Sequence, residues 1–152
     1  MADPVVEVER AMIAIRRSLG RRSLSKLSRE RTGDTVDQAV LGVLDAVEEC
    51  DQRGTACTVT SIGQALTLDQ PRASRVVARA VDDGFLRREA DQRDGRKSTL
   101  VLTAAGREQV ERMHRFRRAV FAEVMADWPD EDKAAFGRLL GKFATRYGEL
   151  GS

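Results

Sequence analysis

Cysteine, histidine and large aromatic side chains are scarce in this sequence. Its 152 residues hold two cysteines, one histidine, one tryptophan and one tyrosine, and aromatics make up 5%. Cys50 and Cys57 cannot form a disulfide framework, and no Cys-x-x-Cys pair occurs. A lone His114 cannot build a histidine-rich metal site. No stretch approaches the ~20 apolar residues that a membrane-spanning helix needs. Met1-Ala2-Asp3-Pro4 opens without the basic-then-apolar pattern of a secretory leader. The expected compartment is therefore the cytoplasm. Also missing are a glycine-rich phosphate loop, a nucleophile–base pairing and a metal-ligand spacing. The acidic runs Asp82-Asp83 and Asp130-Glu131-Asp132 read as helix ends or caps. No enzyme, catalytic residue, cofactor or metal is expected.

What remains is a folding composition, 41% hydrophobic and 33% charged. The length suits one domain, or a small lobe with helical extensions. Net charge is only +2, but its distribution is uneven. From Arg10 to Arg31 the basic residues Arg10, Arg16, Arg17, Arg21, Arg22, Lys26, Arg29 and Arg31 face a single acid, Glu30. A local basic surface attracts phosphate even when the total is nearly balanced. A solvated helix face is the competing reading of that run.

Periodicity outlines the elements. Val5, Val8, Met12, Ile15 and Leu19, spaced 3, 4, 3 and 4, form one helical stripe that Leu24 and Leu27 extend raggedly. Arg31-Thr32-Gly33-Asp34 is a break. A helix over about 36–52 turns Val36, Val40, Val43, Leu44 and Val47 inward. Cys57-Thr58-Val59 is β-prone. A short helix begins near Thr60 or Ser61, capped by Thr60, with Ile62, Ala65 and Leu66 as its buried side. After a tight turn at Thr67-Leu68-Asp69, another helix runs from about Gln70 to Asp83, with Val76, Val77 and Ala80 inward. Pro71 is tolerated in its first turn and Gly84 stops it. Two helices joined so closely suggest a helix-turn-helix. The period then changes to two. Phe85–Glu89 and a segment marked by Leu100 and Leu102 read as strands around the polar tip 91–97. Thr103 caps a long helix, about 104–127, with Val110, Met113, Val120 and Val124 on its inner side. Trp128-Pro129 breaks it. Asp130 is the expected cap of a last helix striped by Phe136, Leu139, Leu140, Phe143, Tyr147 and Leu150.

The fold class is thus mainly α with a small β-hairpin wing: a winged helix-turn-helix flanked by N- and C-terminal helices. Residues 58–106 carry a closer likeness. Thr58–Leu66 and Ala73–Leu86 resemble the two motif helices of the multiple antibiotic resistance regulator (MarR) family, without a gap. Asp91-Gln92-Arg93-Asp94-Gly95-Arg96 matches that family's wing pattern, Asp-x-Arg-Asp-x-Arg. Leu102-Thr103-Ala104-Ala105-Gly106 matches its Leu-Thr-x-x-Gly. A helix-turn-helix alone is shared by many regulators; the wing and Leu-Thr-x-x-Gly at this spacing are specific. About a third of the chain carries the likeness. Gln70-Pro71-Arg72 departs from the Ser/Thr-rich residues usual there, and Gly95 replaces a frequent arginine.

The resemblance implies one domain over 1–152. Its DNA-binding lobe is 36–103, and its dimerisation lobe is 1–31 with 104–152. The helix from Gln70 would enter the major groove, where Arg suits guanine and Gln suits adenine. Gln70, Arg72, Ser74 and Arg75 are the candidates for base edges, and Pro71 shares their first turn. Arg79, one turn on, is assigned to phosphate. Arg93, and after it Arg96, would reach the minor groove from the wing, with Lys97 on phosphate. Asp94 would brace the wing by pairing with an arginine. Interleaved terminal helices would make a homodimer on a pseudo-palindromic operator; an intrachain bundle is the alternative.

The resemblance also implies a small aromatic or anionic effector that releases a repressor from double-stranded DNA. Its pocket is not marked by the residues. His114, Arg115, Met113, Phe116 and Trp128 lie in the right stretch, but core packing accounts better for Met113 and Phe116. Two other functions compete: a winged-helix protein-interaction module, and a redox sensor acting through Cys50 or Cys57. Both cysteines read more simply as small buried side chains.

Overall fold

The structure, a computed structural model, describes residues 2–21, 24–91, 93–96 and 98–151, and the side chain of Arg21 is left aside. Arg22 of the basic run, Gln92 of the wing pattern and the phosphate candidate Lys97 lie outside the described residues. Two compact units divide the chain, residues 1–114 and 115–152. They are taken separately below.

In the first unit, α1 (Pro4–Arg21) starts where the Asp3 carboxylate accepts from the Val5 N–H at 2.9 Å. Leu24 and Leu27 belong to a separate helix, α2 (Leu24–Thr32), rather than to a ragged extension of α1. Gly33 ends α2 at φ 70°, a left-handed conformation that favours glycine. The third helix, α3 (Gln38–Arg53), is capped by Asp37, whose Oδ1 accepts from the Ala39 N–H at 2.8 Å. Gly54 closes it at φ 67°. Its Val40, Val43, Leu44 and Val47 are fully buried, as their spacing predicts.

The helix-turn-helix is α4 (Val59–Leu66) followed by α5 (Gln70–Asp82). Here three expectations are corrected. The cap of α4 is Thr58, not Thr60. Thr58 Oγ1 accepts from the Ser61 N–H at 3.1 Å, and Ser61 Oγ accepts from the Thr58 N–H at 2.8 Å. That reciprocal box satisfies two backbone donors at once, with Ser61 in the place of the usual Glu or Gln. Cys57-Thr58-Val59 consequently forms no strand. The Cys57 carbonyl still accepts from the Leu100 N–H at 2.8 Å, but Thr58 is committed to the cap. Ala65, expected inside, is exposed, while Ile62 and Gly63 are buried. Between the helices Thr67 takes φ 54°, a conformation unusual for a β-branched residue. It is held by the Leu68 N–H donating back to the Gly63 carbonyl at 2.8 Å.

Asp69 caps α5, its Oδ1 accepting from the Arg72 N–H at 2.9 Å. Ala73, Val77 and Ala80 are buried, and Val76 packs half-buried against the same core. Strands β1 (Leu86–Ala90) and β2 (Ser98–Leu102) pair antiparallel, Leu86 opposite Leu102 and Ala90 opposite Ser98. Leu86, Leu100 and Leu102 turn one face into the core with Leu44 and Ile62. Each such buried aliphatic side chain contributes roughly 1.5–3 kcal/mol of transfer free energy.

Thr103 starts α6 (Ala104–Val124), which runs from the first unit into the second. Its Oγ1 accepts from the Gly106 N–H at 3.1 Å and donates to the Gly84 carbonyl. Farther along, Gln109 is buried and donates to Asp34 Oδ2 at 2.8 Å, and His114 Nε2 meets Glu48 Oε1 at 2.7 Å. Both bonds tie α6 to the α3 side of the first unit.

The second unit holds the end of α6 and α7 (Asp130–Leu150). Asp130 is the first residue of α7 rather than its cap. Pro129 holds the cap position and makes no side-chain bond. Trp128 and Phe136 meet edge to face, their centroids 5.4 Å apart. Among the described residues, no helix is long and apolar enough to cross a membrane.

Candidate nucleic-acid interface

The exposed side of α5 is set by its buried side. Ala73, Val77 and Ala80 anchor the helix at spacings of 4 and 3. Arg72, Arg75 and Arg79 repeat at 3 and 4 on another face, and Gln70 and Ser74 share a flank. All five are exposed, as is Pro71 in the first turn. Arg75 makes no ion pair or side-chain hydrogen bond among the described residues. Arg72 sits loosely on Asp69 at 3.6 Å. Arg79 is tied to another element: its Nη2 donates to Asp37 Oδ2 at 2.8 Å.

Asp37 is the residue that sequence reasoning missed. As a cap it was legible, an aspartate just before an apolar-periodic run. Its bond to an arginine 42 positions away was not. That guanidinium, with the Ala39 N–H, holds the Asp37 carboxyl below the usual carboxylate range. In return the carboxylate raises Arg79. Both lie on a cleft of about 670 Å³ lined also by Arg29, Thr35, Val36, Asp83 and Phe85.

At the hairpin tip, Arg93 and Arg96 are exposed and their side chains have no partner among the described residues. Two aspartates organise the backbone there. Asp91 Oδ1 accepts from the Arg93 N–H at 2.9 Å, and Asp94 Oδ1 from the Arg96 N–H at 3.1 Å. Each is an aspartate accepting from the residue two positions on, a compact turn that Asp makes readily. Asp94 thus bonds the backbone of an arginine, where the sequence suggested an arginine side chain, and Asp91 makes the matching turn. Behind the tip, Arg87 and Glu89 pair at 2.6 Å along β1.

A two-helix motif with an exposed polar recognition face, followed by a two-stranded wing bearing arginines, defines a winged helix-turn-helix protein. Residues 36–97 match the model of the MarR family. Over this segment, about two fifths of its length, the chain is similar to that family. Two relatives agree. The transcriptional regulator BilQ of Clostridium symbiosum is 28% identical over 86 residues, 57% of this chain and 60% of that protein. The uncharacterised regulator YwoH of Bacillus subtilis is 29% identical over 86 residues, 57% of this chain and 62% of its own length. The match thus spans about three fifths of the relatives' length. Among solved structures, a MarR family protein from Bacillus stearothermophilus superposes with a TM-score of 0.73, covering 97% of this chain and 99% of that one at 19% identity. Staphylococcus aureus MepR bound to ethidium bromide superposes at 0.62, covering 88% and 94% at 16% identity. Bordetella bronchiseptica BpsR, whose DNA binding is regulated by 6-hydroxynicotinic acid, gives 0.55, covering 86% and 90% at 24% identity. At these identities the structures speak for the fold.

Proposed function

We propose that the protein is a sequence-specific regulator of transcription that binds double-stranded DNA as a homodimer, and that it is not an enzyme. The observation that carries this is the exposed face of α5. Its first turns present Gln70, Arg72, Ser74 and Arg75 while Ala73, Val77 and Ala80 hold the helix against the core. A helix seated this way can lie in the major groove, with its early residues on base edges. Pro71 lies in that same first turn, and Arg79 is directed at phosphate. From the wing, Arg93 and Arg96 reach the neighbouring minor groove and Lys97 a phosphate, while Asp94 shapes the tip. The winged lobe is 36–103; residues 1–31 and 104–152 supply the dimer contacts.

Support for the dimer comes from apolar surface that the single chain leaves in water. Val5, Met12, Ile15 and Leu19 of α1 are each more than two-fifths exposed, and so are Phe136, Leu139, Leu140 and Tyr147 of α7. Stripes of this size mark an interaction surface. A twofold dimer then places two recognition helices about one DNA turn apart on a pseudo-palindromic site. A small aromatic or anionic effector releases the DNA by binding one spacing of those helices better than the other. BpsR and MepR, each associated with a small molecule, are the parallel. The protein acts as a repressor in the cytoplasm, where its DNA lies.

The test is a gel shift on the DNA upstream of the protein's own gene, across a salt series, with wild type and Arg75→Ala. Specific recognition requires saturable, sequence-preferring binding that weakens steeply with salt and is lost in the variant. If neither this DNA nor a randomised pool yields a preferred site, the reading fails.

A further inference from the structure

Resting on that reading, we infer that Asp37 is an internal competitor for Arg79: its carboxylate occupies the guanidinium that would otherwise bind a DNA phosphate, and so limits the affinity of the recognition helix.

Arg72, Arg75 and Arg79 form one stripe on α5, yet they are held differently. Arg75 has no side-chain partner among the described residues, and Arg72 has a loose one within its own helical turn. Arg79 is bonded at 2.8 Å to a residue of another element. The competitor is held in place. One carboxylate oxygen of Asp37 accepts the Ala39 N–H that starts α3, and the other takes Arg79. Turning away to free Arg79 would strand the helix cap. A second carboxylate, Asp83, adds to the negative field at Arg79.

Both partners are nevertheless wet, 54% and 44% exposed at the side chain. An ion pair in that setting adds little to stability. It is open to exchange with a phosphate, which offers the guanidinium the same oxygen acceptors as a carboxylate. The pair therefore acts on affinity: every Arg79–phosphate contact first costs an Arg79–Asp37 contact.

Asp37→Asn is the decisive variant. Asn caps helices as well as Asp does, so α3 keeps its start while the competing charge goes. A melting curve checks the fold, and Asp37→Ser, another capping residue without charge, repeats the test. Binding of a fluorescent duplex carrying the preferred site is measured for wild type, Asp37→Asn, Arg79→Gln and the double variant. Tightening on the order of two- to fivefold is expected in Asp37→Asn, and none in the Arg79→Gln background. Asp83→Asn, which removes a charge nearby without breaking the bond, should tighten binding less. Unchanged or weaker binding by Asp37→Asn overturns the inference. So does equal tightening with Arg79 removed, which would assign the gain to general repulsion. If wild type binds no duplex, the DNA reading itself fails; if it binds but Asp37→Asn does not tighten, only this inference does.

Discussion

Cys57 shows how much one side chain's surroundings decide. It is buried in the core of the first unit, and burial, with the neighbouring Cys50 thiol, pushes its own thiol from an ordinary 9.0 up to about 12. The Ser61 hydroxyl, 3.8 Å from the sulfur, pulls weakly the other way. A thiol held protonated is a poor nucleophile, which argues against oxidant sensing through Cys57. In the native protein Cys57 should resist iodoacetamide at mildly alkaline pH and react fully once unfolded, as mass spectrometry of the labelled peptide will read. The sign of the linkage follows. A pKa raised by folding gives stability that is complete below the ordinary thiol value and lost as pH rises toward about 12. Rapid labelling in the folded state would bring thiol sensing back.

At the scale of elements, the seating of α6 is concentrated in the Leu-Thr-x-x-Gly segment. Thr103 caps the helix through the Gly106 N–H, and its own N–H donates to the Phe85 carbonyl at 3.0 Å. A Cβ at residue 106 would collide with that carbonyl oxygen. The glycine is thus needed for close approach: Gly106 is helical and has no positive φ. Gly106→Ala must push α6 away from the Phe85 carbonyl or distort the backbone, a cost of about 1–3 kcal/mol by analogy with overpacked cores. That lowers the melting temperature by several degrees in a chain of this length, roughly 2–4 °C per kcal/mol. A variant with unchanged melting would show that the approach relaxes freely. Ala105→Gly, at an exposed neighbouring position, controls for helix propensity.

At the scale of the whole molecule, α1 and α7 each leave a stripe of large apolar side chains exposed. Leu139 and Phe143 lie one turn apart on α7 and are 52% and 39% exposed. Burying such stripes against a second copy would supply the free energy of association. The double variant Leu139→Glu, Phe143→Glu puts charge on that face and leaves the sequence of residues 36–103 unchanged. If the proposed dimer forms through this face, sedimentation should show a dimer for wild type and a monomer for the variant. Operator affinity should fall on the order of 100-fold, because the two half-sites are no longer linked. A variant that remains dimeric would remove α7 from the interface.

Local chemistry accounts for what the sequence alone determined. The helix stripes, the glycine stops at Gly33, Gly54 and Gly84, the alternation of Leu100 and Leu102 and the wing spacing depend on neighbours a few positions away. They were enough for the winged helix-turn-helix and for its likeness to the MarR family over residues 36–97. Where competing local signals were close in strength, the structure decided. Thr58 rather than Thr60 caps α4, because Ser61 reciprocates only with Thr58, and that cap cost Cys57-Thr58-Val59 its strand. Tertiary structure alone brought Asp37 to Arg79, Asp34 to Gln109 and Glu48 to His114. Those pairs are separated by 42, 75 and 66 positions. Periodicity reports which face of an element is apolar; which polar groups meet depends on how the faces pack.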